Sequence, residues 1–115
     1  MIPNRVRISE YSTGRLRYLK SQTGLTPNII ARFAFTLSVR AARPMAQLDA
    51  VLDGQEFNAP TLFGEHQRLY EVLLIRYVRA TDDDRPAATI IAHHIDVGLH
   101  KMGHIKSIGE LVGLR

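Results

Sequence analysis

Arg5-Val6-Arg7-Ile8 alternates polar and apolar positions, the period of a β-strand with Val6 and Ile8 on one face and Arg5 and Arg7 on the other. So short a strand does not stand alone. The pattern therefore calls for a pairing partner, and the obvious one is the same strand of a second copy. Ser9 then reads as a helix N-cap, with Glu10 in the first turn, where negative charge suits the helix dipole. The helix runs to Gln22, with Tyr11, Leu16 and Leu19 inward and Arg15, Arg17 and Lys20 solvated, and Thr23-Gly24 stops it. Thr26 caps a second helix whose first position is Pro27. Ile29, Ile30, Phe33, Ala34, Leu37 and Ala41 follow helical spacing, and Phe35 and Val39 widen the stripe. So wide a stripe exceeds what one short helix covers, which implies burial on several sides, including against a second subunit.

Pro44 closes the second helix. In the segment that follows, Asp53-Gly54 sits between apolar Val51-Leu52 and Phe57, the pattern of a small hairpin. Residues 61–80 read as a helix with Leu62, Leu69, Val72, Leu73 and Tyr77 on its buried stripe. Asp82-Asp83-Asp84 forms a loop and the acidic start of the next helix, complementing its dipole. Pro86 opens that helix, which runs to Met102 with Ala88, Ile91, Ile95, Leu99 and Met102 on its apolar face. Ser107-Ile108-Gly109-Glu110 is a capping box for a last short helix. The fold class expected is mainly α: a short N-terminal strand followed by helices, with a ribbon–helix–helix-like start.

A length of 115 residues with 45% hydrophobic and 23% charged positions fits one globular domain over residues 1–115. It divides into a strand–helix–helix front, 1–43, and a helical back, 44–115. The chain has no cysteine, which excludes disulfides, thiolate metal sites and a cysteine nucleophile. No run approaches the ~18 apolar residues of a membrane span, and the first residues lack a signal peptide's apolar core. A cytoplasmic protein is expected.

Charge changes the picture most. Residues 1–43 hold eight basic side chains against one acid, a net +7, whereas residues 44–115 hold seven against ten, a net −3. Concentrated positive charge on one segment points to a polyanion, of which nucleic acid is the usual one. In a ribbon–helix–helix protein, strands paired across a dimer lie in the major groove, and the N-terminus of the second helix offers backbone N–H groups to a phosphate. The candidate DNA contacts are Arg5, Arg7, Arg15, Arg17 and Lys20, with Thr26 and Asn28 at the helix start. Three of them also have a structural role to fill: Arg5 and Arg7 can be a solubilising strand edge, and Thr26 can simply cap.

Other chemistry is sparse. His93, His94, His100 and His104 fall in the back half, and His100 and His104 have the i, i+4 spacing of metal ligands. The intervening residues carry no glutamate of an HExxH pair, and further ligands are missing. Asp82, Asp83 and Asp84 lack the spacing of a calcium loop. GxSxG, GxxxxGK(S/T) and GxGxxG are absent, and Glu65 and Glu71 do not share a helix face. Neither catalysis by this chain nor a cofactor or metal is expected.

Asn4-Arg5-Val6-Arg7-Ile8-Ser9, Leu19-Lys20-Ser21-Gln22-Thr23-Gly24-Leu25-Thr26-Pro27-Asn28, Asp53-Gly54-Gln55-Glu56-Phe57-Asn58 and Thr61-Leu62-Phe63-Gly64-Glu65 resemble the DNA sulfur modification protein family DndE. The resemblance spans most of residues 3–75, with Thr23 to Asn28 its most distinctive run. It implies a helical, oligomeric protein, tetramers being expected. It also implies a bacterial accessory subunit that binds nicked double-stranded DNA in the system replacing a non-bridging phosphate oxygen of DNA by sulfur. Other subunits of that system, a cysteine desulfurase, an adenylating iron–sulfur protein and an ATPase, would be partners and would carry the chemistry. Two other readings compete: a sequence-specific ribbon–helix–helix regulator or antitoxin, which would prefer one palindromic site, and an adaptor that binds protein partners through its apolar helix faces.

Overall fold

The computed structural model describes residues 2–44 and 51–103. In chain order the elements are strand β1 (Arg5–Arg7), helices α1 (Glu10–Thr23) and α2 (Pro27–Val39), strand β2 (Glu56–Asn58), a short helix α3 (Ala59–Phe63), and helices α4 (Gln67–Thr81) and α5 (Ala87–Lys101). A 3₁₀ turn, Gly64–His66, links α3 to α4. The fold is mainly helical with a short strand pair, as the hydrophobic pattern implied. The capping box at Ser107 lies outside the described residues.

The start follows local chemistry closely. Val6 and Ile8 are fully buried while Arg5 and Arg7 face out. Ser9 caps α1 by accepting the Ser12 N–H at 3.0 Å. Gly24 ends α1 in the left-handed conformation, φ +75°, and its N–H reaches the Lys20 carbonyl at 2.8 Å. Pro27 opens α2 as expected, but Thr26 makes no side-chain capping bond, so its hydroxyl is not committed to the helix. Helix α2 stops at Val39, ahead of Ala41 and Pro44.

The strand pairing differs from expectation. β1 finds its partner within the chain: it pairs with β2, antiparallel, with Arg5 opposite Asn58, Val6 opposite Phe57 and Arg7 opposite Glu56. Backbone bonds extend the ladder at both ends, from Ile8 N–H to the Gln55 carbonyl (2.9 Å), Gly54 N–H to the Ile8 carbonyl (2.7 Å) and Ala59 N–H to the Asn4 carbonyl (2.9 Å). Among the described residues the hairpin expected around Asp53-Gly54 does not form, because the strand that follows it, β2, pairs with β1. Gly54 is needed at this crossing, since a Cβ there would lie 2.4 Å from the Ser9 carbonyl oxygen.

Helix α5 is the centre of the molecule. Ile90, Ile91, Ala92, His94, Ile95, Asp96, Val97, Gly98 and Leu99 are all buried, which a one-sided stripe would not produce. α2 packs along it through Ile30, Ala31, Ala34, Phe35, Ser38 and Val39, and Gly98 sits directly against the Ala34 backbone. These helices share one core with Val6, Ile8, Leu16, Leu19, Leu62, Phe63, Leu74 and Tyr77, so the basic front and the acidic back fold together.

The expected helix over 61–80 is broken in two. Gly64 takes φ +60°, and α4 starts afresh at Gln67. Leu62 and Tyr77 are buried as expected, but Leu69 and Val72 are each 56% exposed, while Leu74 turns inward. α4 is apolar on more than one face, and the period alone did not say which face meets the core. Nor do the aspartates start α5: its first turn holds no acid. Asp82 instead ends α4 in a left-handed conformation, φ 56°, and Asp83 is bonded to Arg85 and Tyr77. No helix among the described residues is long and apolar enough to cross a membrane.

Candidate nucleic-acid interface

The seven candidate contacts fall into three groups. Arg5 and Arg7 stand on the outer face of β1, where both reach Glu56 on β2, at 3.1 and 3.4 Å. Arg7 also donates to the Gly54 carbonyl at 2.9 Å. A phosphate would have to compete with that carboxylate. Arg15, Arg17 and Lys20 lie on α1. Thr26 and Asn28 lie at the start of α2, beyond the far end of α1. At ~1.5 Å per residue, α1 separates the β1 group from the α2 group by about 20 Å.

Within the α1 group the three cations differ. Arg15 folds along the surface: its guanidinium lies over the Tyr18 ring, 4.9 Å from the centroid, and donates to the Gly103 carbonyl at 3.3 Å. Arg17 and Lys20 are exposed, and no acid among the described residues pairs with either. They sit at i and i+3, so they share one face and point the same way. At the α2 start, the Asn28 side chain donates to the Thr61 carbonyl at 3.2 Å, so its amide braces α3. Arg32, another cation of the front, does the same work, donating to the Leu62 carbonyl at 2.6 Å and the Thr61 carbonyl at 3.2 Å. What remains open at this end is the uncapped first turn of α2, the free Thr26 hydroxyl and Lys20 one loop away.

Tyr11, expected inside, is outside. The inward stripe of α1 is Ser12, Leu16, Leu19 and Thr23, one position round from Tyr11. Ser12 takes the inward place because the buried Asp96 of α5 accepts hydrogen bonds from the hydroxyls of both Ser12 and Ser9 (the latter at 2.6 Å). This carboxylate also lies at the positive end of the α1 dipole. Tyr11 instead stacks on His100, and Tyr18 is likewise exposed. The sequence signal for Asp96 was available: a lone acid inside the apolar run Ile95-Asp96-Val97.

The other buried polar centre is His94. Its Nδ1 shares a 2.6 Å hydrogen bond with Ser38 Oγ, and its ring stands edge-on to Tyr77 and Phe35, with centroids 4.3 and 5.8 Å away. Nε2 is buried with no hydrogen-bond partner among the described residues. Burial pushes the imidazole down from 6.5 to about 4, and the nearby cations Arg85 and Lys101 act in the same direction. The unfolded chain therefore takes up a proton that the folded chain refuses over this interval. Stability should fall as pH drops through that window, by up to ~3 kcal/mol at ~1.4 kcal/mol per pH unit, and His94→Gln should flatten the slope. Urea unfolding of both proteins at about pH 7 and about pH 4.5 checks it. Asp83 does not obscure the window: the Arg85 guanidinium holds its carboxyl well below the usual carboxylate range, so its contribution is lost only in stronger acid.

Among the described residues no three His, Asp or Glu side chains converge as a metal group. His93 contacts Arg85 at 2.7 Å, and His104 lies outside the described residues.

Taken together, fold and surface define a small, mainly helical protein with an intramolecular two-stranded ribbon and a surface helix carrying cations and exposed aromatic rings. The family described as DNA sulphur modification protein DndE matches residues 5–109, and the chain belongs to it. The crystal structure of DndE from Escherichia coli B7A, involved in DNA phosphorothioation modification, is similar at 30% identity with a TM-score of 0.74, over 89% of this chain and 98% of that one. The DndE G21/24K mutant involved in DNA phosphorothioation is similar at 29% identity with a TM-score of 0.62, over 87% and 99%. No curated protein matches the chain.

Proposed function

We propose that this protein is a non-catalytic, DNA-binding accessory subunit of a bacterial DNA phosphorothioation system, acting in the cytoplasm as a single domain over its whole length. It binds double-stranded DNA, nicked duplex included, through the sugar–phosphate backbone. The observation that carries the reading is the pair Arg17 and Lys20: exposed, unpaired with any acid among the described residues, and leading to the uncapped start of α2. Cations and backbone N–H groups set position on a duplex without reading bases, which suits a protein that must act at a break rather than at a sequence. Arg15 sits between Arg17 and the ribbon, and Arg5 and Arg7 join the contact when a phosphate displaces Glu56. The in-chain pairing of β1 favours this over a sequence-reading ribbon–helix–helix dimer, whose ribbon is built from two copies.

The same protein associates with itself and with other subunits of the modification system. The exposed Leu69 and Val72 on α4 give it an apolar outer face, and four copies are the expected assembly. This face also supports the adaptor reading, in which partner contacts matter and DNA contacts do not. Phosphorothioate content decides between them. Deleting the gene from its host should remove phosphorothioate dinucleotides from digested DNA, as read by mass spectrometry. Wild type should restore them, and R17E/K20E should not. Full restoration by R17E/K20E would support the adaptor instead.

A further inference from the structure

Tyr11, Gly14, Arg15 and Tyr18 occupy positions i, i+3, i+4 and i+7 of α1, so they share one face of the helix. Both rings are in solvent, Tyr11 40% and Tyr18 42% exposed, and neither belongs to the stripe that meets the core. Each is nonetheless held. The His100 imidazole lies against Tyr11 with the ring planes 9° from parallel and centroids 4.3 Å apart. The Arg15 guanidinium lies over Tyr18, anchored in turn on the Gly103 carbonyl. Gly14, between the two rings, leaves the surface open: a Cβ there would meet no heavy atom within 4 Å. Along the axis the tyrosines are about 10 Å apart; Arg15 shares their face, Arg17 flanks it about a third of a turn round, and Lys20 lies on the far side of the helix.

Braced aromatic rings with cations on the same face and its flank, here Arg15 and Arg17, form the combination that holds single-stranded nucleic acid: bases stack on the rings while cations hold the backbone. We propose that this face of α1, with Tyr11 braced by His100 and Tyr18 braced by Arg15, is a stacking site for nucleobases that unstack at a nick or strand end. The inference rests on the reading that α1 faces DNA. It adds what backbone contacts alone do not supply, a reason to prefer broken duplex. In intact duplex the base faces are covered by their neighbours, and only phosphates and groove edges are on offer.

The test is Y11L/Y18L, titrated by fluorescence anisotropy against intact duplex, the same duplex with one nick, and a single strand of equal length. Thermal unfolding beside wild type confirms that the half-exposed positions leave the fold unchanged. Affinity for single strand and nicked duplex should fall by at least about five- to a hundredfold, the range of one lost stacking contact, while intact duplex changes by less than about twofold. Y11F/Y18F should bind all three as wild type does, because the phenyl ring stacks without the hydroxyl. With 2-aminopurine beside the nick, wild type and Y11F/Y18F should quench its fluorescence and Y11L/Y18L should not. Wild-type affinity of Y11L/Y18L for all three probes would overturn the stacking site while leaving the duplex reading standing. An equal loss on all three would overturn it as well. Wild-type protein that binds none of the probes would remove the duplex reading and the stacking site together.

Discussion

Replacing Arg17 and Lys20 together by glutamate should lower affinity for intact duplex at least about thirtyfold near physiological salt and reduce the slope of log K against log salt by about 2. The cause is counterion release. Each cation that neutralises a phosphate contributes ~0.9 to that slope, so two lost contacts remove nearly two units, and the new negative charges repel the duplex further. Both side chains are exposed and free of ion pairs among the described residues, so folding stability should stay within ~0.5 kcal/mol. That combination, lost binding in an intact fold, separates a contact from a scaffold. R5E/R7E should do less to binding and more to the ribbon, because both arginines hold Glu56. Titration at several salt concentrations with unfolding run in parallel reads both. An unchanged slope in R17E/K20E would mean that α1 does not face the duplex.

Gly98→Ala should be the most destabilising small substitution in the chain. A Cβ at 98 would stand 1.8 Å from the Ala34 carbonyl oxygen and 2.6 Å from its Cα. The obstacle is backbone, not the end of a flexible side chain, so α2 and α5 must move apart along the packing that holds the core together. Overpacking ordinarily costs ~1–3 kcal/mol, and a backbone clash belongs at or beyond the upper end. Alanine's better helix propensity returns only ~1 kcal/mol. A net loss of at least ~2 kcal/mol is expected, lowering Tm by about 10 °C for a domain of this size. Gly14→Ala is the control: on the open face of α1 it should stabilise by ~0.5–1 kcal/mol. If Gly98→Ala were as stable as wild type, the close α2–α5 crossing would be wrong.

What could be read from the sequence was what short-range chemistry decides. Ser9, Gly24, Pro27 and Pro86 mark element boundaries because capping and φ preferences act within a few residues. Val6 and Ile8 face inward because alternation is itself a local pattern. The partner of β1 was hidden because the Asp53-Gly54 turn points Phe57 to a local hairpin, while the true pairing lies some fifty positions away. Tyr11 and Ser12 changed places for a similar reason: hydrophobicity favours the tyrosine inside, and the decisive group, Asp96, lies 84 residues from Ser12. The candidate interface divides along the same line. That the front is basic was plain from composition. That Glu56 takes up Arg5 and Arg7, and that α3 carbonyls take up Asn28 and Arg32, depends on contacts only the fold creates. The cations left over, Arg17 and Lys20, stand out only once those pairings are known.

Titrating the wild-type chain against matched intact and nicked duplexes at two salt concentrations asks whether this protein holds duplex DNA by its backbone and favours a break. Binding to both is expected, steeply weakened by salt and tighter on the nicked duplex. Equal and negligible binding to the two at low salt would contradict it and leave the basic face of α1 as a solvated surface.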